Sequence, residues 1–207
     1  SDCKGWKIGF FGASGFSYAN AHGGEPGAAP LHRRRLLQSI EELKPACDFI
    51  VVVIHADIEF VDFPAPWRVR LSRQLIDAGA GLVIHHHPHV LQGVETWGDG
   101  FVAYSLGNWV FKPDAYQASR GETGRSALLA VTVSRDRADS AVAIVTKFHP
   151  VKLGIDGCPT ALESGEEAQG VCQRIAALSG NYRDGTSLFS AWRQTCKKEA
   201  RRTLYEI

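Results

Sequence analysis

Asp48-Phe-Ile-Val-Val-Val-Ile-His55 is a continuous β-branched run, and it reads as a central strand covered on both faces. Downstream, Trp67–Ala78 sets Val69, Leu71, Leu75 and Ile76 on one apolar side of a helix that Gly79 closes. Leu82–Ile84 follows as a second buried strand. This β-α-β succession predicts a parallel pair joined by a right-handed crossover. Upstream, Leu31–Pro45 is helical by the spacing of Leu36, Leu37, Ile40 and Leu43, with Arg33–Arg35 on its wet side. Trp6–Gly12 reads as a further short buried strand ending in a glycine turn. Between them Ala13–Pro30, rich in Gly, Ala, Ser and Pro, reads as a long loop that walls a site.

Beyond Val90 the pattern turns to antiparallel β. Leu91–Trp97 and Phe101–Ser105 flank the hairpin signal Gly98-Asp-Gly100, and Ser126–Ser134 and Ser140–Phe148 flank Arg135–Asp139. Val151–Ile155 reads as a short added strand. Helical patterns return at Gly165–Leu178 and Leu188–Tyr205. The expected class is α/β, in the α+β sense, with residues 1–160 as the main domain and residues 161–207 as a helical extension packed on it.

Composition narrows the function. Of 207 residues, 44% are apolar and 22% charged, enough for a core in one ordinary domain. The net charge of +1 gives no global basic field that would draw nucleic acid. No run of 18 apolar residues is present to span a membrane, and no signal-peptide pattern opens the chain. Five scattered cysteines form neither a C-x-x-C pair nor zinc-finger spacing, and the compartment stays open. Methionine is absent even at position 1, so the sequence reads as processed, trimmed or part of a longer polypeptide.

The chemistry gathers at strand ends. Gly81-Leu-Val-Ile-His-His-His-Pro-His-Val90 puts four imidazoles where an apolar strand stops and Pro88 breaks the pattern. Both buried strands therefore end in histidine, at His55 and at His85–His89, and parallel neighbours bring like ends to one sheet edge, where open α/β sheets bind ligands. His87 and His89, two apart, share a side in extended backbone. Neutral imidazole is the commonest metal ligand, which makes this a candidate metal site, with a histidine-rich exposed loop or a core histidine as the plainer reading. Asp57, Glu59, Glu95 and Asn108 are secondary candidates. Glu59 and Glu95 read equally as surface carboxylates, and Asn108 after Gly107 reads as a turn former ahead of a ligand.

Four segments together resemble a known family. Asp48–His55, Gln74-Leu-Ile-Asp-Ala-Gly-Ala80, His87-Pro-His-Val-Leu-Gln-Gly-Val-Glu95 and Ala103-Tyr-Ser-Leu-Gly-Asn-Trp-Val-Phe111 are similar in order and spacing to the CapA family of poly-γ-glutamate capsule biosynthesis proteins. The resemblance covers Lys7–Phe111. It implies a calcineurin-like metallophosphoesterase fold, a two-sheet β-sandwich flanked by helices, here without its N-terminal part. It also implies that His55, His87 and His89 are metal ligands and catalytic residues for a divalent metal (Mn, Zn or Fe), in a centre that would be dinuclear in the full-length parent. The departures are Ala56-Asp57 where the family has Trp-Gly, and His85 where it has Gly. Its upstream aspartate and Asn/Glu elements would precede Ser1, leaving about half a metal site.

The implied role is synthesis or export of an anionic polymer, poly-γ-glutamate, with other capsule-synthesis proteins as partners and an extracytoplasmic or membrane-associated location. Two alternatives stand beside it: a metal-dependent hydrolase of a phosphoester or of the γ-glutamyl polymer, and a non-catalytic binding or scaffold module. Whether the chain is an enzyme stays open. In the last helix, Leu188, Trp192, Cys196 and Ala200 form a stripe opposite Arg193, Lys197, Lys198, Arg201 and Arg202. That basic face reads first as solvated, with an acidic polymer or anionic membrane as the sharper alternative.

Overall fold

The computed structural model describes residues 2–3, 5–21, 23–112, 122–136, 141–180, 182 and 185–205. Strands β1 (Asp2–Cys3), β2 (Trp6–Ser14), β3 (Phe49–His55), β4 (Leu82–His86), β5 (Val94–Trp97) and β6 (Gly100–Ala103) form one sheet in the order β1-β2-β3-β4-β6-β5. The four inner strands run parallel and the two edge strands antiparallel. Helices α1 (Arg33–Leu43) and α2 (Pro66–Ala78) make the crossovers on either side of β3. Pro66 occupies the first helical turn of α2, where its missing N–H costs nothing. Gly79 ends that helix at φ 124°, a conformation that side chains rarely adopt, and its N–H reaches the carbonyls of Leu75 and Ile76.

The β-branched run divides by strand alternation. Ile50, Val52 and Ile54 join Leu36, Ile40, Val69, Leu75 and Val83 in the core under the helices. Phe49, Val51 and Leu82, joined by Phe101 and Ala103, face the other way onto a second sheet. That sheet is antiparallel, ordered β7 (Arg125–Ser134), β8 (Ala143–Leu153) and β9 (Pro159–Ala161). Its inward residues Leu129, Val131, Val133, Ile144 and Phe148 complete the sandwich. The fold is therefore α/β, two sheets packed face to face with helices on the outside. Helix α3 (Glu166–Ser179) packs on β5, β7 and β8, and α4 (Gly185–Tyr205) packs on α2.

Most boundaries shift by a few residues, and two of the shifts change the pairing. Leu91 makes only an isolated bridge to Leu106, and regular pairing starts at Val94. The strand expected at Val151–Ile155 is the continuation of β8 through Pro150. Proline fits there because β9 pairs with β8 only from Val151 onward, so one side of the strand is an edge at that point. Ser140 and most of the Arg135–Asp139 turn lie outside the described residues.

Candidate metal centre

The parallel register of β3 and β4 sets His55 directly beside His86, and alternation turns the neighbouring His85 to the opposite face. His85 is thus a core residue. Its Nδ1 accepts from Arg68 Nε at 3.2 Å and its Nε2 lies 2.7 Å from Ser72 Oγ. After β4 the chain leaves strand geometry. His87 has φ 103° and His89 φ 60°, so their convergence comes from two positive-φ turns around Pro88 and not from extended alternation. Non-glycine residues held this way cost on the order of 1–3 kcal/mol each and persist where surrounding structure fixes them.

Two backbone hydrogen bonds do that fixing. Ala56 N–H donates to His86 O at 3.2 Å, and Phe60 N–H donates to Pro88 O at 2.8 Å. These lace the loop after β3 to the loop after β4 and suspend Glu59 over the two imidazoles. Glu59 Oε1 lies 3.9 Å from His87 Nε2 and 3.8 Å from His89 Nε2. One donor atom from each of the three residues falls within 4.8 Å of the others. His55 stands alongside, its ring centroid 5.0 Å from that of His87. The structure therefore brings together His55, His87, His89 and Glu59.

His89 is oriented from behind. Asn108 Nδ2 donates to Thr123 O at 3.2 Å, which assigns its amide and points Oδ1 at His89 Nδ1, 2.7 Å away. An amide oxygen only accepts, so the Nδ1 carries the hydrogen, and Nε2 is the ring nitrogen turned toward Glu59. Gly107, at φ 76°, makes the turn into Asn108; a Cβ there would stand 2.9 Å from Arg125 O. Asn108 thus acts on the site through His89.

The other two candidates are committed elsewhere. Asp57, at φ 108°, pairs with Arg68 Nη1 at 2.5 Å and accepts from Ala65 N–H at 2.9 Å. Glu95 pairs with Arg73 at 2.5 Å and accepts from the Tyr104 hydroxyl at 2.8 Å. Arg68 itself escapes a pattern search for sites. It is fully buried and joins Asp57, His85, Gln92 Oε1 and Tyr104 O in one network. Its position on the inward stripe of α2, with Ser72 and Leu75 below it, is the sequence signal that a buried partner had to exist.

The electrostatics suit a ligand set. Burial, then neighbouring positive charge from His55 and His89, pushes the His87 pKa down to about 4. Burial lowers His55 and His86 as well. These imidazoles are neutral at pH 7, the form that donates to a metal. They line a cleft of about 560 Å³ whose far wall is Leu106, Trp109, Val110, Phe111 and Leu128. From the long loop after β2, Phe16 closes the near side with its ring 4.3 Å from His87.

Tested against a divalent ion, the donor set fits one. Two imidazoles and a carboxylate are a known combination for zinc with an open fourth position. The oxygen-to-nitrogen gaps of 3.8 and 3.9 Å need to close by only about half an ångström to meet tetrahedral contacts near 2.0–2.1 Å. Of the carboxylates singled out in the sequence, Asp57 and Glu95 are paired with arginines, which leaves Glu59 as the acid at the site.

Comparison with known proteins adds the relatives. The family described as "Bacterial capsule synthesis protein PGA_cap" matches residues 1–113, more than half of the chain. The "PGA biosynthesis protein CapA" of Bacillus subtilis (strain 168) is 36% identical over 104 residues, which is 50% of this chain and 27% of that protein. The "Capsule biosynthesis protein CapA" of Bacillus anthracis is 36% identical over 91 residues, 42% of this chain and 22% of that protein. The chain thus matches about a quarter of the length of these relatives. A solved hypothetical protein from Thermus thermophilus aligns over 78% of this chain and 57% of its own at 19% identity. Its TM-score of 0.39 is too low to carry an argument.

Proposed function

The chain belongs to the bacterial capsule synthesis protein PGA_cap family, and from that premise we propose that it serves the synthesis or export of an anionic capsule polymer through a one-ion metal site. The polymer is poly-γ-glutamate in this reading, the partners are other capsule-synthesis proteins, and the setting is extracytoplasmic or membrane-associated. Residues 1–160 form the site-bearing domain and residues 161–207 a helical extension. The observation that carries the metal site is the meeting of Glu59, His87 and His89 between two laced loops.

Each residue has a definable part. His87, whose burial keeps its ring neutral, and His89 each offer a ring nitrogen, and Glu59 would offset part of the cation's charge. Asn108 holds the His89 tautomer. His55, with its ring 5.0 Å from that of His87, would stand beside the ion as a proton acceptor. A divalent ion in such a site supplies Lewis acidity and a water of lowered pKa. An apolar wall of Trp109, Val110, Phe111 and Leu128 flanks that point. A carboxylate in the donor set and an open coordination position favour a second reading, hydrolysis of a phosphoester or γ-glutamyl bond.

Calorimetric titration with Zn²⁺ and Mn²⁺ tests the site. One ion per chain is expected, with uptake weakened by about 100-fold or more in His89→Ala and Glu59→Gln, beyond the cost of losing an outer-shell partner. Uptake of two ions unaffected by either substitution would refute the ligand set. Assaying the loaded chain with an aryl phosphate and a γ-glutamyl anilide then separates the readings. Turnover abolished by His89→Ala selects the hydrolase. Metal uptake without turnover leaves the polymer-handling role.

A further inference from the structure

Helix α4 concentrates charge that the rest of the molecule lacks. Its 21 residues hold five cations against one acid, while the whole chain carries only +1, so the remainder is slightly acidic. Arg193, Lys197 and Arg201 recur every four residues and form one exposed row, with Lys198 and Arg202 beside it. Glu199 is drawn to Arg202 at 3.1 Å. Among the described residues no carboxylate pairs with Arg193, Lys197, Lys198 or Arg201. Like charges at this spacing destabilise a helix, so the row is a liability that an anion would relieve.

The opposite side of α4 is already used. Leu188 is buried in the same core cluster as Ala56 and Val69, and the helix packs on α2. Ser190 and Gln194 fill the exposed arc around the cations. Insertion into a lipid surface needs an apolar face next to the basic one. Phe189 is the one large apolar side chain standing exposed on α4 among the described residues. With Phe189 the one exposed large apolar side chain beside five cations among the described residues, charge dominates this face, which fits a soluble polyanion.

We propose that the row Arg193–Lys197–Arg201 binds a linear polycarboxylate chain along the axis of α4. Successive cations rise about 6 Å apart on a helix, an interval that a flexible polymer with a carboxylate on every unit can match. The polycarboxylate identity rests on the capsule-polymer reading above; the anion-binding row does not.

The test is anisotropy of fluorescein-labelled poly-glutamate with the full chain across a salt series. Wild type should bind. A triple variant, Arg193→Gln with Lys197→Gln and Arg201→Gln, should bind about tenfold or more weakly, with the salt slope reduced by about three. Arg34→Gln with Arg35→Gln, on α1, should bind within about twofold of wild type, as a basic cluster off the row. Circular dichroism checks that α4 is retained, and Arg193→Lys with Arg201→Lys should restore binding. His89→Ala should keep polymer binding while losing metal, which separates failure of this proposal from failure of the metal site. The proposal is overturned if wild type does not bind or if the α1 variant loses as much as the triple. It is equally overturned if binding is lost in His89→Ala but not in the triple variant, or if anionic vesicles bind more tightly than the polymer through the same cations.

Discussion

At the scale of single residues, the site depends on which atoms are already engaged. Five imidazoles lie at the two strand ends, yet His85 is spent on Arg68 and Ser72 while His87 and His89 keep nitrogens directed at Glu59. Two acids two residues apart divide the same way: Asp57 is neutralised inside and Glu59 stands free to reach a cation. Asn108 tests this logic. Removing its amide oxygen in Asn108→Ala frees the His89 tautomer, and zinc affinity should fall about 10- to 100-fold, as for other residues that orient a ligand from behind. Asn108→Asp, which still accepts from Nδ1, should retain most of the affinity. Competitive zinc titration of the three proteins measures both. Equal affinity in all three would show that Asn108 is only a turn former.

At the scale of elements, the strands and helices were legible because their signals are local. The β-branched run of β3, the spacing on α1 and α2 and the Gly98-Asp99 hairpin each lie within one element, and each formed as read. That His55 ends at the same sheet edge as the His85–His89 run was legible too, since it follows from parallel neighbours ending together, although the donors that meet are those of Glu59, His87 and His89, with His55 alongside. The reason assigned to the His87–His89 pair was different, because positive-φ turns depend on bonds from Ala56 and Phe60 across to the neighbouring loop. Both Asp57 and Glu59 were candidates in the sequence, but which of them would face the imidazoles was illegible, since Arg68 claims Asp57 and the laced loops carry Glu59 to His87 and His89. Arg68 binds these elements into one frame: α2, the loop after β3, β4 and the segment around Gln92 and Tyr104. Arg68→Ala leaves the 2%-exposed Asp57 carboxylate without its partner and should destabilise the fold by about 3–5 kcal/mol, read from chemical denaturation. The exposed Arg70→Ala on the same helix should change stability by less than about 0.5 kcal/mol.

At the scale of the whole molecule, buried neutral histidines link stability to pH. Burial depresses His55, His85, His86 and His87, the last from 6.5 to about 4. Between those values the unfolded chain binds protons that the folded chain refuses, so unfolding becomes more favourable as pH falls. Stability should therefore be complete above about pH 6.5 and decline towards pH 4, measured as denaturation midpoints at several pH values. A midpoint that rises from pH 6.5 to 4.5 would contradict the neutral state of these groups. Two sheets, their laced strand ends and the helices outside together hold three donors around one point, and that is the claim on which the functional reading stands. X-ray absorption at the zinc edge of the loaded chain tests it most directly. The account predicts nitrogen and oxygen neighbours at about 2.0–2.1 Å with two or three imidazoles, losing one imidazole in His89→Ala. Sulfur at about 2.3 Å, or a spectrum unchanged by His89→Ala, would contradict it.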